Sequence, residues 1–345
     1  MKDKQVEQLQ QAEQLQQAEQ LQQMEQLQQA EQLQQAEQLQ QAEQVQQAVN
    51  WLLEDENPEV KLRTLKEYYK YDNEHREVIK AKQQLLQSPL FEAAIAKLTA
   101  DKKWGKYDAL TSLAEWGLTR YDMELDMHVF SFIKETGFKM MCGEGLLLRN
   151  LVKLGYYTEP VVKEEVNDMF SKLHTDGGFA CISKNKKIND PSKKHKSCVK
   201  ITLGYLLLLA ELKLNGVHIQ CGDRLVDYFV KRKIFYRTDD MASIMVPVMT
   251  ETFYPPDAIQ IGVQNLIYAL SILGQGNSSA VAEGWRYMDV HKAEGLQYTS
   301  LHEDSAGLYK LSKTKTAPAF KPGKKNKPNK WITLYALLAE KAAKC

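Results

Sequence analysis

The sequence predicts an all-α protein: an array of helix pairs preceded by one long low-complexity helix. Three observations carry this. Helix-length apolar stretches alternate with tight Gly-containing turns from Lys106 onward. Within each pair the first helix is apolar nearly all round, as in Gly204-Tyr205-Leu206-Leu207-Leu208-Leu209, and the second is amphipathic. Residues 1–50 consist largely of the hexad EQLQQA, without Gly or Pro. Apolar first helices and amphipathic second helices imply an inner, fully buried ring and an outer, half-exposed ring.

The hexads come first. EQLQQA repeats seven times from Glu7 to Ala48, with Met24 and Val45 as the only variants. Glu, Gln, Leu and Ala all favour helix, so a long helix is expected over residues 1–50. Six residues advance an α-helix by about 600°, so each Leu falls about 120° from the last. A coiled coil needs a repeat of about 3.5 or 3.67 residues to keep one seam facing its partner. The hexads provide no such seam. They read either as a solvated helix or as a self-association or partner-binding helix.

A domain of residues 51–345 follows. Val49–Leu53 continues helically into it, and Asn57-Pro58 opens a helix with Pro in the first turn and an apolar face at Val60, Leu62, Leu65, Tyr68 and Tyr69. Ser88-Pro89 opens a short helix through Leu98. The pairs then run Lys106–Phe138 with a turn at Gly117, Gly143–Ile182 with turns at Gly155 and Gly177-Gly178-Phe179, Val199–Phe235 with a turn at Asn215-Gly216, and Ile259–Leu296 with a turn at Gly274. Lys330–Lys344 repeats only the first half of a pair. Turns within pairs are short and connections between pairs are long. Alternating helix direction therefore puts all the long connections, and the N-termini of the inner helices, at one face. Long loops in compact domains are usually functional or disordered, and helix N-termini suit anions.

Composition narrows the class. Residues 1–50 hold Lys2 and Lys4 against Asp3 and seven Glu, while the whole chain has a formal charge of +1, so the remainder is mildly basic. Five cysteines in a chain with a large core favour reduced thiols and a cytoplasmic location over a disulfide framework. The start lacks an apolar signal region, and the run Leu203–Leu212 is about half a membrane span, so no transmembrane segment is expected. No Walker, Rossmann or Gly-x-Ser-x-Gly pattern is present.

Helix pairs separated by Asp176-Gly177-Gly178-Phe179 and similar turns, together with Trp104, Lys106-Tyr107, Trp116-Gly117-Leu118, Cys142-Gly143, Ser197-Cys198 and Lys330-Trp331, resemble the α/α-toroid superfamily of terpenoid cyclases and protein prenyltransferase β-subunits. Within that superfamily the chain looks closest to bacterial squalene-cyclase-like proteins. The resemblance implies a closed α/α toroid around an apolar cavity and an isoprenoid-type ligand with an anionic head. The catalytic sets of the superfamily do not carry over. Where prenyltransferases hold zinc through Asp-x-Cys, this chain reads Lys196-Ser197-Cys198, and Ile332 stands at the zinc His position. Asp239-Asp240 lacks the first Asp of the cyclase acid motif. Whether the chain is an enzyme therefore stays open.

Two groups of residues are candidate sites. Cys142, Cys181 and Cys198 all fall at ends of helix pairs on the long-loop face, as buried thiols or as zinc ligands. Ser183–Lys196 holds six Lys and His195 against one Asp, and Lys310–Lys330 holds eight Lys and no acid. Lys193, Lys194, His195, Lys324 and Lys325 are thus candidates for a positive rim that binds an anionic small molecule; the other reading is solvated lysine. Few aromatics and no Arg interleave these lysines, which disfavours nucleic acid. Two function classes follow: a ligand-binding cavity protein, or a non-enzymatic scaffold that binds protein partners through the basic face and the N-terminal helix.

Overall fold

The computed structural model describes residues 2–100, 102–180, 197–246, 250, 253, 262–292, 297 and 327–344. The chain divides into two compact units, Met1–Ala48 and Val49–Cys345. Among the described residues the regular secondary structure is helical, and an isolated bridge pairs Tyr236 with Ile244.

The hexads form helix α1, Lys2–Leu52. Leu27, Leu33 and Leu39 are 64%, 64% and 68% exposed. Hexad leucines pointing in successive directions cannot share one buried stripe, as the 100° turn per residue requires.

The second unit starts with α2, Pro58–Arg63, which has Pro in its first turn as the sequence predicts. One helix through Tyr69 was the expectation. Instead, α2 gives way to a single π-helical turn, Thr64–Tyr68, closed by Tyr69 N–H on the Thr64 carbonyl at 3.1 Å. Lys70 then turns left-handed (φ 62°), a conformation that costs a non-glycine residue about 1 kcal/mol. Helix α3, Arg76–Leu86, was not anticipated; His75 caps it by accepting Glu77 N–H through its ring nitrogen. Helix α4, Pro89–Thr99, opens on the Ser88 side chain, which accepts Phe91 N–H.

The pairs follow in the predicted order: α5 Lys103–Glu115 and α6 Asp126–Thr136, α7 Glu144–Lys153 and α8 Pro160–Ser171, α9 Val199–Leu214 and α10 Gly222–Val230, α11 Val263–Ile272 and α12 Ala282–Asp289, then α13 Lys330–Ala343. Gly117, Gly155, Gly216 and Gly274 each follow a first helix with positive φ, the conformation that glycine adopts without a Cβ penalty. At the Asp-Gly-Gly-Phe turn the requirement is steric as well. A Cβ on Gly177 would run into the Arg224 carbonyl, and one on Gly178 into the Ser197 side chain. Asp176 completes the turn by accepting Gly178 N–H (3.1 Å) and the Ser197 hydroxyl (2.6 Å).

The first helices pack in sequence: α5 on α7, α7 on α9, α9 on α11, α11 on α13, and α13 on α2 and the π-helical turn. Arg63 of α2 reaches Glu115 of α5 at 2.6 Å, which links the last member of this succession to the first. Helix α9 is buried on every side from Ile201 to Leu212, whereas α8 and α12 keep one face exposed. Each fully buried Leu of this interior, such as Leu147, Leu206 or Leu266, contributes about 1.5–3 kcal/mol by leaving water. Gly145 and Gly204 let α7 and α9 cross closely, since a Cβ on Gly145 would lie 2.8 Å from the Gly204 backbone.

Candidate functional site

The apolar inner helices bury a balanced charge network. Glu115, at the end of α5 and fully buried, accepts Arg63 (2.6 Å), Arg149 of α7 and the Tyr335 hydroxyl of α13. Arg63 also makes a two-bond fork to Glu67, both contacts at 2.9 Å, and its guanidinium lies 4.7 Å from the Tyr335 ring centroid. Lys153 bridges Glu67 (2.5 Å) and Glu211 (3.8 Å), and Arg149 stands 3.6 Å from Glu211. Three cations thus face three carboxylates. Burial alone would raise the Glu115 carboxyl, but the charges of Arg149 and Arg63 outweigh it and hold the group at about 2. Burial likewise opposes ionisation of Glu67, and Arg63 and Lys153 overcome it, holding the carboxyl well below its ordinary range. Burial raises the Tyr335 phenol, so it stays protonated and donates.

A cavity of about 660 Å³ opens on one side of this network. Its walls come from the C-terminal ends of the inner helices: Lys153 from α7, Glu211 and Lys213 from α9, Tyr268 and Ile272 from α11, and Leu338 and Lys341 from α13. Gly117 and Thr119 after α5, and Lys66, Glu67 and Lys70 around the π-helical turn, also line it. This size suits a small molecule. Glu67, Lys153 and Glu211 already satisfy one another on its floor. Lys66, Lys70, Lys213 and Lys341 are added around them. Helix C-termini carry roughly half a negative charge each, which accounts for lysines standing there, and the lining side chains hold five lysines against two glutamates.

The four differ in their surroundings. Lys341 donates to the Tyr68 carbonyl, with its ammonium 4.6 Å from the Tyr68 ring centroid. Lys66, half-buried, donates to the Gly117 carbonyl at 2.7 Å. Lys70 and Lys213 are exposed, and among the described residues neither joins an ion pair. Burial pushes the Lys66 amine below the usual lysine range; Asp122 pulls against this, and Lys153 and Lys82 add to it. A π-helical turn beside the cavity fits a pattern in which such turns occur frequently at functional sites.

The residues singled out in the sequence fall differently. Lys193, Lys194, His195, Lys324, Lys325 and Cys181 lie outside the described residues. Cys142, in the turn before α7, and Cys198, at the N-cap position of α9, are half-buried thiols. Among the described residues no group of three His, Cys, Asp or Glu side chains could hold a metal ion. Asp240 serves a turn, accepting Ala242 N–H and the Ser243 hydroxyl. Ile332 is buried in α13, and its carbonyl accepts the Gln264 amide at 2.7 Å. The cavity lysines and the network beneath them were not anticipated. The available signal was a single charge inside an apolar run: Arg149 in LLLRNLV and Glu211 in LLLLAELKL. Such a charge is almost never buried without a partner.

No family model matches the chain, and the comparisons with curated proteins and with solved structures also found no match.

Proposed function

We propose that residues 51–345 form an α/α toroid of the terpenoid-cyclase and prenyltransferase type that binds a small anionic-headed ligand, without the chemistry of those enzymes. The closed succession of inner-helix neighbours supports the toroid. The observation that carries the ligand reading is the cavity at the inner-helix C-termini, whose lining holds five lysines against two glutamates. Ile272, Leu338 and Tyr268 on its wall offer an apolar portion of the ligand a place beside the head. Asp-x-Cys zinc chemistry and Asp-x-Asp-Asp acid chemistry both lack residues in this chain, which points to binding rather than catalysis.

The experiment is calorimetric titration of the full chain with pyrophosphate and farnesyl diphosphate at low and moderate salt. Binding is expected to weaken with salt as exposed charges are screened. The Lys70→Glu/Lys213→Glu variant should lose it and stay folded, because both side chains are exposed. A Lys193→Glu/Lys194→Glu/Lys324→Glu/Lys325→Glu variant should keep it. Loss in the second variant alone moves the site to the lysine-rich connections, and absence of binding in wild type removes the ligand reading.

A scaffold that binds protein partners is the second reading, favoured by the exposed Leu27, Leu33 and Leu39 along α1. Light scattering of full-length and truncated chains checks it: association lost with residues 1–48 supports the scaffold.

A further inference from the structure

The cavity lysines are not equivalent. Lys153 is bound to Glu67 and Glu211, and Lys341 stands over the Tyr68 ring. Lys70 and Lys213 project into solvent, where an ammonium is well hydrated. Lys66 alone of the five is half-buried at the wall with a neutral carbonyl, that of Gly117, as its hydrogen-bond partner and no carboxylate in an ion pair with it among the described residues. The nearby carboxylates are committed elsewhere: Asp122 to Lys82 at 2.7 Å, and Glu67 to Arg63 and Lys153.

We propose that Lys66 is a nucleophilic amine that forms a reversible imine with a carbonyl compound bearing an anionic group, bound in this cavity. The inference rests on the anion-binding reading of the same cavity. A lysine desolvated beside other cations is the arrangement that activates an amine as a nucleophile. The depressed amine of Lys66 agrees with it. A neutral amine can donate one N–H to the Gly117 carbonyl and keep its lone pair for attack. That lone pair adds to the carbonyl carbon, and an amine proton passes to the carbonyl oxygen to give a carbinolamine. The hydroxyl then leaves with a second proton as water, and the C=N bond forms. No electrons change hands, so no redox partner is needed. Lys70, Lys213 and Lys341 hold the anionic end of the compound, which selects carboxylated or phosphorylated aldehydes and ketones over neutral ones.

The test treats the full chain with substoichiometric pyridoxal 5′-phosphate at about neutral pH. The imine is trapped with cyanoborohydride, and the labelled lysine is mapped by peptide mass spectrometry. An amine lowered by burial holds more free base at neutral pH, so Lys66 should label faster than the exposed lysines. Pyrophosphate should protect it, pyridoxal without its phosphate should label it less, and Lys66→Arg should remove that label. Label spread evenly over exposed lysines, with pyrophosphate still bound, overturns the nucleophile and leaves the anion cavity standing. Selective label on Lys66 with no pyrophosphate binding keeps the nucleophile and removes the anion cavity. Wild-type mapping decides between these outcomes even where the variant fails to fold.

Discussion

Replacing Glu115 by Gln keeps the shape at the centre of the inner helices and removes the carboxylate shared by Arg63, Arg149 and Tyr335. Arg63 keeps Glu67 and Arg149 keeps Glu211, yet both guanidiniums are buried and lose their closest counter-charge. Breaking a buried pair from one side costs about 3–5 kcal/mol. The lowering of the Glu115 carboxyl gives a second figure. The Glu115 carboxyl lies at about 2 against an ordinary 4.5, and that difference corresponds to about 3 kcal/mol of stability. The sign follows from the direction. A depressed carboxyl contributes its full stability above its unfolded value near 4.5 and loses it as pH falls toward about 2. Urea denaturation at pH 7 should therefore show Glu115→Gln less stable by about 3 kcal/mol, and the gap should narrow steadily below about pH 4.5. A loss under about 1 kcal/mol at pH 7, or a gap independent of pH down to 3, would refute the assignment of Glu115 as the centre of the network.

Two further outcomes are expected. Burial and the neighbouring Glu165 raise the Glu144 carboxyl to about 7, so its ionisation destabilises the fold progressively as pH rises from about 4.5 to 7. Glu144→Gln should then gain about 1–2 kcal/mol at pH 8, less than the full shift implies because solvent screens part of it, and nothing at pH 4; equal stability at both pH values would contradict this. Removing residues 1–48 should leave the melting temperature of the second unit within a few degrees of the full chain, because those residues form a compact unit of their own. A drop of ten degrees or more would show that the repeats support the second unit.

The helices were legible because each signal was local. Pro58 and Pro89 sit in first turns, Gly117, Gly155, Gly216 and Gly274 end first helices, and Val199–Leu214 is apolar enough to be buried all round. The π-helical turn at Thr64–Tyr68 was hidden, since composition does not distinguish an i→i+5 bond from an i→i+4 bond. Helix α3, with its sequence REVIKAKQQLL, buries only Val78, Ala81 and Leu85, too few apolar positions to stand out. The candidate cavity was less legible than the helices. Lysine density drew attention to Ser183–Lys196 and Lys310–Lys330, whereas Lys66, Lys153, Lys213 and Lys341 are scattered through the chain and meet only through packing. Each stands at or near the end of an inner element, and the succession of neighbours brings those ends together. Arg149 and Glu211 pointed there, as charges inside apolar helices that need partners.

The most direct measurement is hydrogen–deuterium exchange of the full chain with and without saturating pyrophosphate. Slower exchange is predicted in the π-helical turn Thr64–Tyr68 and in the last turns of α9 and α13, around Lys213 and Lys341. Protection confined to Ser183–Lys196 and Lys310–Lys330, with no change at those three places, would contradict a ligand site at the C-terminal ends of the inner helices.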